Sequence, residues 1–166
     1  KPPMKTASLF AIVFVLFLAS ATVAPGAEVI VNSLGMKLAS IEPGEFIMGG
    51  EREYEGKLKF THRLRHPFCV AIYPVTVAQF ELFMQNDGYM REELWTQAGW
   101  QWRTQRERTR PDDYAFAFQT PNHPRVGVTW YEAMAFCQWL NLAFTPDELK
   151  LPDSSWKVRL PTEAEW

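Results

Sequence analysis

The chain has 166 residues and a formal net charge of −2, enough length for one domain and no excess of positive charge for a nucleic-acid surface. Hydrophobic residues make up 47 % and aromatic residues 14 %, with seven Trp and twelve Phe, which excludes a disordered chain. Rings at this density suit a compact fold with much irregular backbone, where each ring covers turns and loops.

Lys1-Pro2-Pro3 precede Met4, which reads as a start. From there Lys5 gives a positive n-region, Leu9–Ala19 an apolar run, and Ala19-Ser20-Ala21 and Ala24-Pro25-Gly26-Ala27 possible cleavage sites, the layout of a secretory signal peptide. Even extended through Val23, the run falls short of the roughly 20 residues of a membrane span. No stable span is therefore expected after cleavage, and the mature protein is expected to be exported, periplasmic or secreted. Residues 1–27 contain two of the 17 basic residues, Lys1 and Lys5, and none of the 19 acidic ones, so the remainder, 28–166, carries −4. In an oxidising compartment Cys69 and Cys137 can pair with each other, stay buried as small hydrophobes, or find a partner elsewhere.

Glu28–Val31 is a β-branched entry, Asn32–Met36 a turn, and Lys37–Ile41 a strand. Pro43-Gly44 marks a turn before a second strand, Glu45–Met48, ended by Gly49-Gly50, so the two strands are expected to form a hairpin. Residues 51–61 read as a solvated loop. Leu64, Phe68, Val70 and Ile72 then fall on one side of a single strand with an irregularity at Pro67. Thr76 and Gln79 form a capping box for a helix whose apolar face is Val77, Phe80, Phe83 and Met84, ended by Asn86-Asp87-Gly88.

Residues 89–125 carry weaker signals: a short helix over Tyr89–Ala98, then Trp100 and Trp102 beside a basic run, Arg103, Arg106, Arg108 and Arg110. Such a run can stack on single-stranded nucleic acid, but in an acidic chain it reads as a charged surface loop with its aromatics turned inward. Val126 and Val128 alternate about Gly127 as a short buried strand. Thr129 and Glu132 form a second capping box, behind which Ala133, Phe136, Cys137, Leu140 and Phe144 make one apolar stripe. This helix is expected to anchor the core. Thr145–Trp156 is a loop. Thr162 and Glu165 make a third box, and the chain stops within one turn of the helix it would start. One turn does not nucleate alone, so the sequence is expected to be the front part of a longer domain.

Pattern alone assigns no residue to catalysis, to a cofactor or to a metal. There is no GxSxG elbow, no GxGxxG after a strand, no Walker loop, no HExxH and no CxxC. His62 and His66 flank Arg63 and Arg65, a poor place for a dication. Glu163 and Glu165 are explained as helix-start carboxylates.

Several segments nevertheless resemble, in order, one known family. They are Asn32-Ser33-Leu34-Gly35-Met36, then Ile41–Gly50, then Tyr73-Pro74-Val75-Thr76 with Phe80 and Phe83. After these come His123–Trp130 with Ala133, Ala135, Phe136, Cys137 and Trp139, and finally Arg159-Leu160-Pro161-Thr162-Glu163-Ala164-Glu165-Trp166. This series is similar to the formylglycine-generating enzymes, or sulfatase-modifying factors, from about residue 32 to 166. The resemblance implies an α+β, C-type-lectin-like fold with much irregular structure. For active members it implies oxidation of a cysteine in a Cys-x-Pro-x-Arg segment of a sulfatase, using O2 and copper held by two thiolates. The copper thiolates and the usual calcium ligands of the family follow the motif that ends at Trp166, so neither metal is placed on a residue of this chain, which by itself is expected to be inactive. Cys137 matches a position where relatives often carry a cysteine that can join a structural disulfide, and Cys69 matches no family motif. The alternative is an exported binding or scaffold module that keeps the fold without the copper site. Neither reading calls for nucleic acid.

Overall fold

The computed structural model describes residues 29–49, 59–114 and 119–166. The expected signal peptide, Gly50 and residues 51–58 of the expected 51–61 loop lie outside them, while Phe60 and Thr61 of that loop belong to a strand. By its internal contacts the chain divides into two compact units, with the boundary inside one helix.

One unit comprises, among the described residues, 29–75 and Cys137–Trp166. Strands β1 (Val29–Val31), β2 (Lys37–Ile41) and β5 (Phe68–Ala71) form an antiparallel sheet in the order β1-β2-β5. Strands β3 (Gly44–Met48) and β4 (Phe60–Leu64) pair separately, Glu45 opposite Arg63 and Phe46 opposite His62. The Asn32–Met36 turn is as expected: the buried Asn32 carboxamide oxygen accepts from Leu34 and Met36 N–H at 3.0 Å each, and Gly35 takes φ +70.

Two expectations fail in this unit. β2 and β3 do not form a hairpin. β2 is flanked on both edges by β1 and β5, which leaves no edge for β3, and Glu42-Pro43, whose proline cannot take the positive φ of a primed two-residue turn, carries the chain into the other sheet. The single strand expected from Thr61 to Ile72 is two, because Arg65–Pro67 break the ladder and β4 and β5 join different sheets.

The other unit contains Thr76–Phe136. Helix α1 (Val77–Gln85) begins at the Thr76–Gln79 box, with both reciprocal hydrogen bonds made. It ends where Asp87 turns to φ 58 and Gly88 N–H reaches the Phe83 carbonyl at 2.9 Å. The expected Tyr89–Ala98 helix is replaced by a 3-10 turn at Glu92–Leu94, and the helix comes later, as α2 (Gln97–Gln105), capped by Thr96. Of the basic run only Arg103 is therefore helical; Arg106 caps the helix end and Arg108 and Arg110 lie beyond it. Phe80, Phe83 and Phe136 form this unit's aromatic core, with centroids 5.2–6.0 Å apart. Val126–Val128 is not a strand: Gly127 lies at φ +76, and a Cβ there would sit 2.2 Å from the Asp112 carbonyl oxygen.

Helix α3 (Trp130–Ala143) begins in this unit and ends in the first. It is buried more broadly than its expected stripe, since Ala135 and Trp139 are covered as well as Phe136, Cys137 and Leu140. No helix among the described residues is long and apolar enough to cross a membrane.

Candidate functional site

The most ordered chemistry in the Thr76–Phe136 unit is centred on Glu132, whose side chain is 0 % exposed. As the third residue after the cap, it turns back to the helix start, where one carboxylate oxygen accepts from the Thr129 N–H and hydroxyl at 2.7 Å each. The other oxygen accepts from the Tyr89 hydroxyl at 2.7 Å and from the Arg108 guanidinium at 3.4 Å. A buried carboxylate is costly unless it is both paired and hydrogen-bonded. Glu132 meets that condition by drawing on three separate stretches: the helix entrance, the residue after the Gly88 turn, and the segment beyond α2.

Each partner is held in turn. Tyr89 packs between Phe83 and Trp95, whose indole N–H donates to the Gly88 carbonyl at 2.9 Å. Burial, then the charge of Glu132, pushes the Tyr89 hydroxyl far above its ordinary range, so it serves as a fixed donor. Arg108 lies over the Trp102 ring at 5.6 Å and also binds Asp112. Burial alone would lower the guanidinium, but the Asp112 hydrogen bond and the Glu132 charge outweigh it and hold it above its usual value. Asp112 is fixed by its backbone, which donates to the Gly127 carbonyl at 3.1 Å.

The unit that contains the sheets holds two further polar devices. The Asn141 carboxamide brackets Val158, donating to its carbonyl and accepting from its N–H at 2.8 Å each, so a side chain fixes the extended 157–160 segment. Half of the Thr162–Glu165 box is made: Thr162 N–H donates to the Glu165 carboxylate at 2.8 Å, while Glu165 N–H turns to the Thr162 carbonyl at 3.1 Å, and Arg159 adds a bidentate pair at 2.6 Å per bond. That pair, then the Thr162 N–H, lowers the Glu165 carboxyl to about 2.

Cys69 and Cys137 are both free thiols. Burial pushes Cys137 up to about 11, and burial followed by the Glu42 charge raises Cys69. Among the described residues no three or more His, Cys, Asp or Glu gather where they could hold a metal ion. His62 instead sits edge-on to Phe46 and Phe60.

Sequence reasoning found Glu132 as a cap but not as a buried hub, and it missed Tyr89, Arg108 and Asn141. The available signal was slight: a box carboxylate ahead of an apolar helix, with tyrosine and arginine in the segments before it.

The geometry defines a mixed α/β domain with antiparallel sheets, whose charged interior orders long irregular segments. The chain belongs to the family of the sulfatase-modifying factor enzyme 1-like domain, whose model matches residues 31–166. It is similar to the serine/threonine-protein kinase pkn1 of Chlamydia pneumoniae, 28 % identical over 130 residues, 78 % of this chain and 18 % of that protein. It is also similar to the hercynine oxygenase of Mycolicibacterium thermoresistibile, 29 % identical over 109 residues, 60 % of this chain and 21 % of that protein. The hercynine oxygenase of Mycobacterium tuberculosis matches at 26 % over 110 residues, again 60 % of this chain and 22 % of the relative. The chain spans about a fifth of the length of these curated relatives.

Proposed function

We propose that this domain serves an exported oxidoreductase of the formylglycine-generating kind, with C-type-lectin-like architecture. It would act with O2 and copper on the cysteine of a Cys-x-Pro-x-Arg segment in a sulfatase. The observation that carries this reading is the family match over residues 31–166, which takes in every motif of the resemblance. The hercynine oxygenases, oxygenases by name, lend support to oxidative chemistry in proteins that share the domain. The leader-like residues 1–27 support export. In this reading the Glu132 hub and the Asn141 bracket are scaffold, and the copper thiolates are cysteines other than Cys69 and Cys137.

The test is to incubate the intact gene product, loaded with copper, with a Cys-x-Pro-x-Arg peptide in air. The peptide's mass and capture of its aldehyde by a hydrazide are then followed. Conversion that depends on copper supports the reading; a copper-loaded, folded protein that leaves the peptide unchanged defeats it.

A second reading is a binding or scaffold module without the copper centre. It is supported by the similarity to pkn1 of Chlamydia pneumoniae, a protein named as a kinase and not as an oxygenase. Copper(I) titration separates the two: tight uptake by a thiolate pair supports the enzyme, and its absence supports the module.

A further inference from the structure

Two guanidinium groups act on the buried Tyr89 hydroxyl, and they are not equivalent. Burial and the Glu132 charge dominate that hydroxyl, while the charges of Arg108 and Arg125 act on it in the opposite sense. Arg108 is committed, through one terminal nitrogen to Asp112 and through the other to Glu132. Arg125 has no such commitment among the described residues. Its Nε and Nη2 are both buried and make no hydrogen bond.

These two nitrogens are not an arbitrary pair. They share one edge of the guanidinium plane, and the N–H bonds on that edge run parallel, at the spacing a carboxylate accepts with its two oxygens. The backbone that carries Arg125 is anchored two residues away on each side. The His123 carbonyl accepts from the Val77 N–H at 2.8 Å, where α1 begins, and the Gly127 carbonyl accepts from the Asp112 N–H at 3.1 Å. Charge points the same way. Glu132 is 0 % exposed and already shared by Tyr89 and Arg108, whereas the Asp112 side chain is 58 % exposed. Around Tyr89, then, two guanidinium groups stand against one buried carboxylate, an excess of one positive charge.

We propose that the Nε–Nη2 edge of Arg125 is a binding site for one carboxylate, borne by a small organic acid or by an acidic side chain of a peptide. A buried charge without a counter-charge, and buried donors without an acceptor, are each unfavourable. A single carboxylate answers both at once, because it brings one negative charge and two acceptor oxygens in one plane. A phosphate dianion would overshoot the single excess charge. The site is independent of the redox reading, since it requires neither copper nor a cysteine.

The experiment is urea unfolding of the intact, copper-free protein, followed by tryptophan fluorescence, in sodium formate, sodium acetate or acetyl-glutamate amide. Sodium chloride at matched ionic strength, inorganic phosphate and neutral acetamide are the references. The expected result is a saturable rise of the midpoint with a carboxylate and with none of the references. The apparent unfolding constant should fall about elevenfold at ten times the dissociation constant. A response to formate or acetate marks a free acid as the ligand; a response confined to acetyl-glutamate amide marks a side chain, and either supports the site. Arg125→Met removes the charge and keeps much of the volume, so it should abolish the response and start from a midpoint no lower than the parent's. Arg125→Lys keeps the charge but not the two-pronged edge, and should bind about tenfold more weakly. No response to any carboxylate, an equal response to chloride, a larger one to phosphate, or an unchanged response in folded Arg125→Met would each overturn the proposal. So would an Arg125→Met midpoint well below the parent's without ligand, which would show that the guanidinium is already satisfied.

Discussion

Removing the Glu132 carboxylate should cost more than removing any other polar group in the Thr76–Phe136 unit. In Glu132→Ala the α3 cap loses its reciprocal bond, worth about 1 kcal/mol. The buried Tyr89 hydroxyl loses its acceptor at 2.7 Å, worth roughly 1–3 kcal/mol. Arg108 keeps Asp112 but loses its buried counter-charge, and breaking such a pair costs about 3–5 kcal/mol when nothing replaces it. The contributions overlap, and Asp112 compensates part of the last one, so a loss of about 4 kcal/mol is expected. Glu132→Gln keeps the shape and one good acceptor but not the charge, and should lose about 2 kcal/mol. Urea unfolding followed by tryptophan fluorescence measures both. A double-mutant cycle with Tyr89→Phe isolates the hydroxyl contact, with a coupling of about 1–2 kcal/mol. If Glu132→Gln proved as stable as the parent to within about 0.5 kcal/mol, the carboxylate would not be the hub described above and the reasoning would fail.

Three further outcomes follow from single observations. Gly127→Ala and Gly35→Ala both place a side chain at positive φ, +76 and +70, but only the first meets a backbone oxygen at 2.2 Å. Gly35→Ala should cost about 1 kcal/mol, and Gly127→Ala at least about twice that; equal midpoints in urea would show that the close approach to Asp112 is relieved at no cost. Glu165 has its folded-state carboxyl depressed, so its contribution is fully present above the unfolded value near 4.5 and is lost as pH falls towards about 2. Arg159→Ala should move the Glu165 titration, read by carboxyl NMR, back towards 4.5; an unmoved titration would mean that the bidentate pair does not hold it. Cys137, with its thiol at about 11, should resist a disulfide reagent at pH 8 until the protein unfolds, while half-buried Cys69 reacts first. Equal rates in the folded protein, followed by mass spectrometry, would contradict the burial of α3.

What the sequence made legible is what short-range chemistry decides. The capping boxes at Thr76–Gln79, Thr129–Glu132 and Thr162–Glu165 need only a hydroxyl and a carboxylate or amide three residues apart; the first two are made in both directions and the third by its carboxylate half. The same rule also operates at Thr145–Glu148, where the Glu148 carboxylate accepts from the Thr145 N–H at 2.7 Å inside a segment expected to be plain loop. Strand existence was legible for the same reason, but strand partnership was not. Bounding turn signals and apolar alternation predict that 37–41, 45–48 and 68–71 are extended, while the choice of β5 over β3 as the neighbour of β2 is made by residues far apart in the chain. α2 was hidden because Gln, Trp and Arg leave it without an apolar stripe; Trp100 packs under a guanidinium, and Trp102 packs under guanidinium groups and against Tyr131.

The candidate site was illegible for a deeper reason. Glu132 reads as a cap from its spacing, and a cap is normally solvated, so nothing local announces that this one is buried. Its burial follows from Tyr89, 43 residues earlier, and Arg108, 24 residues earlier, arriving on the same carboxylate. Neither would remain there without the other. Tyr89 alone would leave an unpaired buried charge, and Arg108 alone would leave a carboxylate oxygen short of donors. The hub therefore specifies how an irregular stretch of chain closes on α3, which is the part of this fold that periodicity cannot encode.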